Sequence, residues 1–340
     1  MKRYLFLFLI LTFYIQGARI DRVDTANRQN ALSENPLVKV ESQQEEKVPM
    51  VIPGEETDLG PQYIVKRKFI RKWVQGFVDS YYTYTSNVFQ EEELSPNQAY
   101  DSSLMASTAQ VAFAPDAFEL SDKLKISPTI GFRHQWFNYG IGDTDPLNRF
   151  GGSGGLNSLD FDVQTLYASN RWIYDNLWVA TVQFDWIRLL GHEKPTSNYA
   201  EFYKEYDTFA SLERYFPIND VSYFSIGVEE KWRITDVDPA LPKRQINDRI
   251  DQSVSINYNY QFFEKLSINP FYRFQHSHYI VNKDRNDFTH TTGLGVSYLI
   301  TDWASIRLSG SWEHRESNDV VIEDYKKFDL GTGLSASIRF

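Results

Sequence analysis

The feature that most constrains this chain is a period of two that sets in near residue 69 and runs to the end. In WASIRLSGSWEHR, the residues Ala304, Ile306, Leu308, Gly310 and Trp312 hold one parity, while Ser305, Arg307, Ser309, Ser311, Glu313 and Arg315 hold the other. Successive side chains of a β-strand point to opposite faces, so strict alternation predicts a sheet with one apolar and one polar face. DQSVSINYNYQFF repeats the pattern, with Val254, Ile256, Tyr258, Tyr260 and Phe262 opposed to Ser253, Ser255, Asn257, Asn259 and Gln261. LWVATVQFDW and KISPTIGFRHQW carry it as well, and none of these stretches shows the 3.6-residue period of a helix.

Turn signals between the alternating runs mark twelve strands, near 70–87, 102–113, 124–138, 158–170, 177–190, 204–216, 221–235, 248–261, 265–281, 287–300, 303–317 and 325–340. Their connections alternate in length. NRWIYDN, PIND, FEK and TD are short, whereas EEELSPNQAYD, GIGDTDPLNRFGGSGGLN, GHEKPTSNYAEFY and DVDPALPKRQIN are long and polar. The connection APDAFELSDK is longer than the other turns, and the first two strands have no clear parity. Aromatic residues make up 16% of a chain whose mean hydropathy is −0.45. In a transmembrane β-barrel the lipid-facing and lumen-facing residues alternate and cancel in any window, which reconciles the two values. The expected fold is all-β: a twelve-stranded antiparallel transmembrane β-barrel preceded by a disordered N-terminal arm.

Three segments follow from composition. Residues 1–18 have the layout of a secretory signal peptide, with Lys2 and Arg3, an apolar run from Tyr4 to Ile15, then Gly17 and Ala18. Residues 19–68 are rich in Glu, Gln, Asn and Pro without a sustained period, which predicts a flexible acidic arm in the periplasm. The arm closes on the basic cluster KRKFIRK, placed where cations meet lipid phosphates or simply end a solvated linker. Residues 69–340 form the barrel. Without Lys2 and Arg3 the chain holds 33 basic against 45 acidic residues, a net charge of −12, so no nucleic-acid partner is expected. With no cysteine, an exported fold of this kind rests on packing and sheet hydrogen bonds.

The last strand is SASIRF. Leu334, Ala336, Ile338 and Phe340 share one face and Ser335, Ser337 and Arg339 the other. Together with the signal peptide, the alternating strands and the asymmetric connections, it resembles the Gram-negative outer-membrane β-barrel superfamily. The aromatic turns ITDWASI and FFEKLSI are similar to those of β-barrel porin families. The resemblance implies that Leu334, Ala336, Ile338 and Phe340 form the signal read by the barrel-assembly machinery. It also implies residence in the outer membrane among its lipids, with the arm in the periplasm.

The alternation also sorts side chains between lipid and lumen. Trp136, Trp186, Trp232 and Trp312 fall on the lipid-facing parity near the loop ends of their strands. Each stands eight to ten residues above an apolar residue at the preceding turn. Eight residues at about 3.3 Å, tilted roughly 40°, rise about 20 Å, close to the spacing of two aromatic girdles. On the inward parity the fourth to sixth strands are expected to carry Asp160, Asp162, Asp185, Asp207 and Glu213 and no cation. The later strands carry Lys231, Arg233, Arg273, Arg307, Arg315, Lys327 and Arg339, mixed with Glu229, Asp251, Glu313 and Asp329. An acidic wall facing a basic one would set up a transverse field that screens small polar solutes. Alternatively the same charges pair within a filled barrel, since twelve strands lie between the packed and open cases.

A lipid-modifying enzyme would need His and Ser together on one outer face. HSH at residues 276–278 and HRES at residues 314–317 split them between faces, so no catalytic residue is expected. Asp143, Asp145 and Asn148 are too few for a calcium loop, and GGSGG lacks the lysine of a phosphate loop. Neither metal nor cofactor is expected. The reading is a porin-like channel, with a non-conducting structural barrel tied to envelope polymer export or assembly as its rival.

Overall fold

A computed structural model describes residues 73–88, 90, 101–141, 160–192, 199–236, 247–281, 285–319 and 324–339. The leader, the arm, the basic cluster, the Asp143–Asn148 and GGSGG segments, Phe340 and the side chain of Arg339 lie outside the described residues. Among those described are thirteen strands and no helix. In chain order they are β1 (Val74–Thr85), β2 (Ser102–Phe113), β3 (Phe118–Ser121), β4 (Leu124–Tyr139), β5 (Phe161–Tyr174), β6 (Trp178–His192) and β7 (Tyr199–Asn219). There follow β8 (Ser222–Asp236), β9 (Arg249–Phe263), β10 (Leu266–Tyr279), β11 (Asn286–Thr301), β12 (Ala304–Ser317) and β13 (Tyr325–Arg339).

Twelve of these close a barrel by antiparallel pairing of neighbours, and β2 pairs with β4 across the short β3. The two ends of the chain complete the wall, with β1 and β13 in register from Gln75↔Arg339 to Thr85↔Asp329. Every long strand therefore has two partners, which leaves no open edge for lipid to meet. The thirteenth strand lies in APDAFELSDK, where Phe118–Ser121 folds onto Leu124–Ile126 as a small ribbon below the wall. That explains the unusual length of this connection.

Turn chemistry sets the end with short connections. Asp175 and Asn176 adopt φ of 54° and 55°, the left-handed pair that tight hairpins need and that Asp and Asn tolerate. The later hairpins turn at Asp220–Val221, Glu264–Lys265 and Asp302–Trp303. Their carbonyls are used at once: Gln261, Leu299 and Ser337 donate backbone N–H to Val221, Lys265 and Trp303 at 2.8 Å each. At the other end β7 begins earlier than alternation suggests, because its Tyr199 pairs with His192. The register there slips at Leu189/Leu190, so Phe202 is an extra residue, and Phe202 and Tyr203 are both buried.

The outer wall is apolar and bare. Val78, Ile130, Leu212, Val228, Leu308 and Leu334 are all exposed on it. Water cannot stabilise a continuous belt of this kind, whereas hydrocarbon can. Aromatic rings bound the belt at the turn end, where Phe216 and Phe224 stack at 4.4 Å and Arg214 lies over Trp178 at 4.8 Å. At the loop end Trp136, Trp232 and Trp312 are exposed on the same outer face, and Trp186 stands there half-buried. A closed twelve-stranded barrel, apolar outside, with turns at one end and long connections at the other, is a transmembrane β-barrel of the outer-membrane type.

Candidate pore and its lining

The lumen has two halves of different chemistry. In the turn-side half, β8 to β13 line it mainly with small neutral groups: Ser225, Asn257, Asn259, Ser267, Asn269, Ser297, Ser305 and Ser335. They bond to one another, as Ser305 Oγ does to Ser335 Oγ at 2.7 Å and Asn257 Nδ2 to Ser225 Oγ at 3.5 Å. Among the described side chains the charge on this arc is Arg307, which is buried against Asp79 of β1. Across the lumen Arg171 is exposed on β5, and Glu213 of β7 accepts from the Tyr215 hydroxyl at 2.6 Å.

Two aromatic rings lie flat against this wall because glycine lets them. A Cβ on Gly333 would stand 2.4 Å from Tyr81 Cδ2, and one on Gly131 would stand 2.4 Å from the Tyr167 hydroxyl. Any other residue would push these rings into the lumen. Pressed flat, the Tyr81 hydroxyl instead hydrogen-bonds Ser309 and the ring sits 5.8 Å from the Arg307 guanidinium.

The loop-side half is closed by side chains. On the β8–β13 arc they are ionic. Arg233 Nε meets Asp251 at 2.8 Å and its Nη1 lies 3.7 Å from Glu205, while Arg249 Nε adds a second contact to Asp251 at 3.1 Å. The Tyr203 hydroxyl donates to Glu205 at 2.9 Å, and Tyr279 bridges from Arg249 to Asp287. Lys327 lies 3.6 Å from Glu313 and 3.2 Å from Asp329, and Glu313 also accepts from Tyr325 at 2.6 Å. Arg315 stacks on the Tyr325 ring at 4.4 Å. These groups are buried, so each charge depends on its partners for what water would otherwise supply.

On the facing arc, β2 and β4 to β7, the filling is apolar. Phe137, Phe161, Val163, Ile187 and Leu189 point inward and form one cluster with Phe202 and Tyr203. Phe137 and Phe161 stack at 4.8 Å, and Val88 folds in from just beyond β1 to join them.

Most of the charges expected in the lumen point there. Asp185, Asp207, Glu213, Lys231, Arg233, Arg273, Arg307 and Arg315 face inward, as do Glu229, Asp251, Glu313, Lys327 and Asp329. They do not stand as two opposed walls. Lys231 Nζ reaches Asp207 on the neighbouring strand at 2.7 Å and Arg273 Nη2 reaches across β9 to Glu229 at 2.8 Å, so cations and carboxylates interleave around the wall.

Asp160 and Asp162 depart from expectation. Asp162 pairs in the ladder with Trp136, which puts it on the outer face, where it meets His134 at 3.3 Å and bonds Tyr199. Asp160 precedes β5 and accepts the Tyr139 backbone N–H at 2.7 Å. The reason is a local inversion of polarity. Near the loop end Phe161 and Val163 turn inward to the apolar cluster, and their polar neighbours are left on the outer rim above the lipid belt. The arc thought to lack cations also has an inward-facing Arg171, one residue past the expected end of its strand, and Arg133 faces inward on the strand before that arc. Asp79, Glu205 and Arg249 were missed as lumen groups. Arg249 shares the parity of Asp251, a signal that was available; Asp79 lies on a strand whose parity was unclear.

Of the residues expected to form an assembly signal, Leu334 and Ile338 are exposed on the outer wall and Ala336 is half-buried. The histidines of HSH and HRES face outward, while Ser277 is buried in the lumen; among the described residues no cluster suits a metal ion.

No family model matches the chain, and no curated protein matches it. Among solved structures it is similar to an outer-membrane channel of Pseudomonas putida F1, at 11% identity over 82% of this chain and 100% of that one, with a TM-score of 0.47. The transport unit of the autotransporter AIDA-I from Escherichia coli aligns at 11% identity over 83% and 94%, with a TM-score of 0.43. The outer-membrane channel DcaP of Acinetobacter baumannii aligns at 12% identity over 78% and 96%, with a TM-score of 0.38. The barrel assignment rests on the closed register of this chain itself.

Proposed function

We propose that the protein is a narrow diffusion channel for small polar solutes in the outer membrane. The observation that carries this reading is the polar lining of a transmembrane wall. Arg171 and Glu213 at the turn-side mouth lead into a neutral hydroxyl and amide surface, and that leads to the ion-pair network. Nothing in folding requires hydroxyls, amides and ionised groups from the turn-side mouth to the loop end of β8 to β13, whereas solute passage does. The loop-side half acts as the filter. Its paired charges present dipoles rather than net charge, so the field across the constriction is short-ranged and selects by size and polarity.

The burial of that half also supports a second reading, a non-conducting structural barrel tied to envelope polymer export or assembly. Planar-bilayer conductance of the refolded protein separates the two. A channel conducts, and Arg171→Glu shifts its ion preference toward cations, because the position lines the mouth that every entering ion must pass, with the clearest shift at low salt where an exposed charge is least screened. A silent bilayer from protein whose barrel is shown to be folded, silent also after residues 19–68 are removed, overturns the channel and leaves the structural barrel.

A further inference from the structure

One row of side chains on the outer wall is foreign to its surroundings. Glu230, Gln252 and His276 stand side by side on β8, β9 and β10 through the registers Glu230↔Gln252 and Gln252↔His276. Glu230 lies two residues toward the turn end from Trp232, and therefore inside the apolar belt. Trp232 Nε1 donates to its Oε1 at 2.5 Å and Gln252 Nε2 to its Oε2 at 3.3 Å. His276 is held in place by Asn286 at 3.0 Å and by stacking on Phe288 at 4.9 Å. Just below the row runs a shallow groove of about 700 Å³, bounded by Ala180, Ala210, Leu212, Val228 and Val254. A carboxylate and an amide facing hydrocarbon are destabilising, the more so with depth, and lipid tails offer them no partner.

We propose that this face binds a second copy of the chain in a two-fold dimer. The order of the row is the reason. A two-fold axis along the membrane normal beside Gln252 reverses left and right, so Glu230 of one copy meets His276 of the other, twice, with the two Gln252 amides between them. The strand tilt offsets the paired groups in height by about 6 Å, which two extended side chains span. Each Glu230 carboxylate, already held by Trp232 and Gln252 of its own chain, thus gains the His276 ring of the other copy, Val228 and Val254 of the partner pack over the groove below the row, and the polar row leaves the lipid. An isologous contact demands such self-complementarity, and a row with two groups of the same sign would not provide it.

The chain has no cysteine, so crosslinking tests this directly. Full-length protein carrying Gln252→Cys, inserted in phosphatidylcholine vesicles and mildly oxidised, is expected to form a disulfide-linked dimer. Leu330→Cys, exposed on β13 away from the row, is expected to stay monomeric. Glu230→Lys should lower the uncrosslinked dimer fraction at least tenfold, and adding His276→Glu should restore it. Heat-modifiable mobility on gels reports that each barrel is folded. Crosslinking of Gln252→Cys no stronger than that of Leu330→Cys overturns the proposal, as does a charge swap that fails to restore the dimer; either would assign the row to lipid or to a different partner.

Discussion

The two arcs that close the loop-side half of the lumen do so with opposite chemistry. On β4 to β7 the contact is aromatic and aliphatic, around Phe137, Phe161 and Val163; on β8 to β13 it is ionic, around Arg233, Asp251, Glu313 and Lys327. An apolar contact is non-directional and tolerates small shifts, whereas a buried ion pair needs its geometry intact. The apolar arc therefore acts as a fixed buttress, and the ionic arc is the part whose pairs a polar solute can replace one by one. On the proposed channel reading, this difference assigns solute recognition to β8 to β13.

That contrast predicts an order of sensitivities. The largest effect should come from Arg233→Met, which leaves Asp251 and Glu205 buried beside a neutral side chain; breaking one partner of such a set costs about 3–5 kcal/mol. Guanidinium unfolding of the barrel in detergent would show it, and a loss below about 1 kcal/mol would mean that water reaches these carboxylates, as in an open pore. Removing two methyl groups from the buttress with Val163→Ala should cost about 2 kcal/mol, from lost burial and the cavity left behind. The same variant should raise conductance without changing ion preference, and a change of preference would move recognition to the apolar arc. The smallest effect belongs to an ion pair on the outer rim, where Arg188 Nε meets Glu201 at 2.5 Å with both side chains about one-third exposed. Glu201→Gln should cost about 0.5 kcal/mol and nothing measurable in 1 M salt, because exposed pairs are screened.

How far the sequence could be read depended on whether one rule held. Apolar-out, polar-in is enforced by lipid along the middle of every strand, so period two together with the turn residues made the strand count, the turn end and the outward Trp136, Trp186, Trp232 and Trp312 legible. Asp162 was misplaced because the rule fails at the loop end of β5, where the outside meets headgroups and water and the inside meets Phe137 and Phe161. Asp79 was missed for a related reason: VDSYYTYT offers similar residues to both faces, and only its pairing with β13 decides which face is inner.

By itself, then, the sequence determined the all-β class, the twelve wall strands, the direction of the connections and the ionisable character of the lumen. These follow from alternation and turn residues, which act within a few positions of the chain. The tertiary structure alone decided which charges touch. Arg307 meets an aspartate 228 positions away, and the ionic arc stands opposite an apolar one. Such pairings depend on the closure of β1 on β13 and on the register of every strand between them. A one-residue slip anywhere in that wall would turn a lumen charge out into lipid, and no local pattern records where each strand comes to rest against the next.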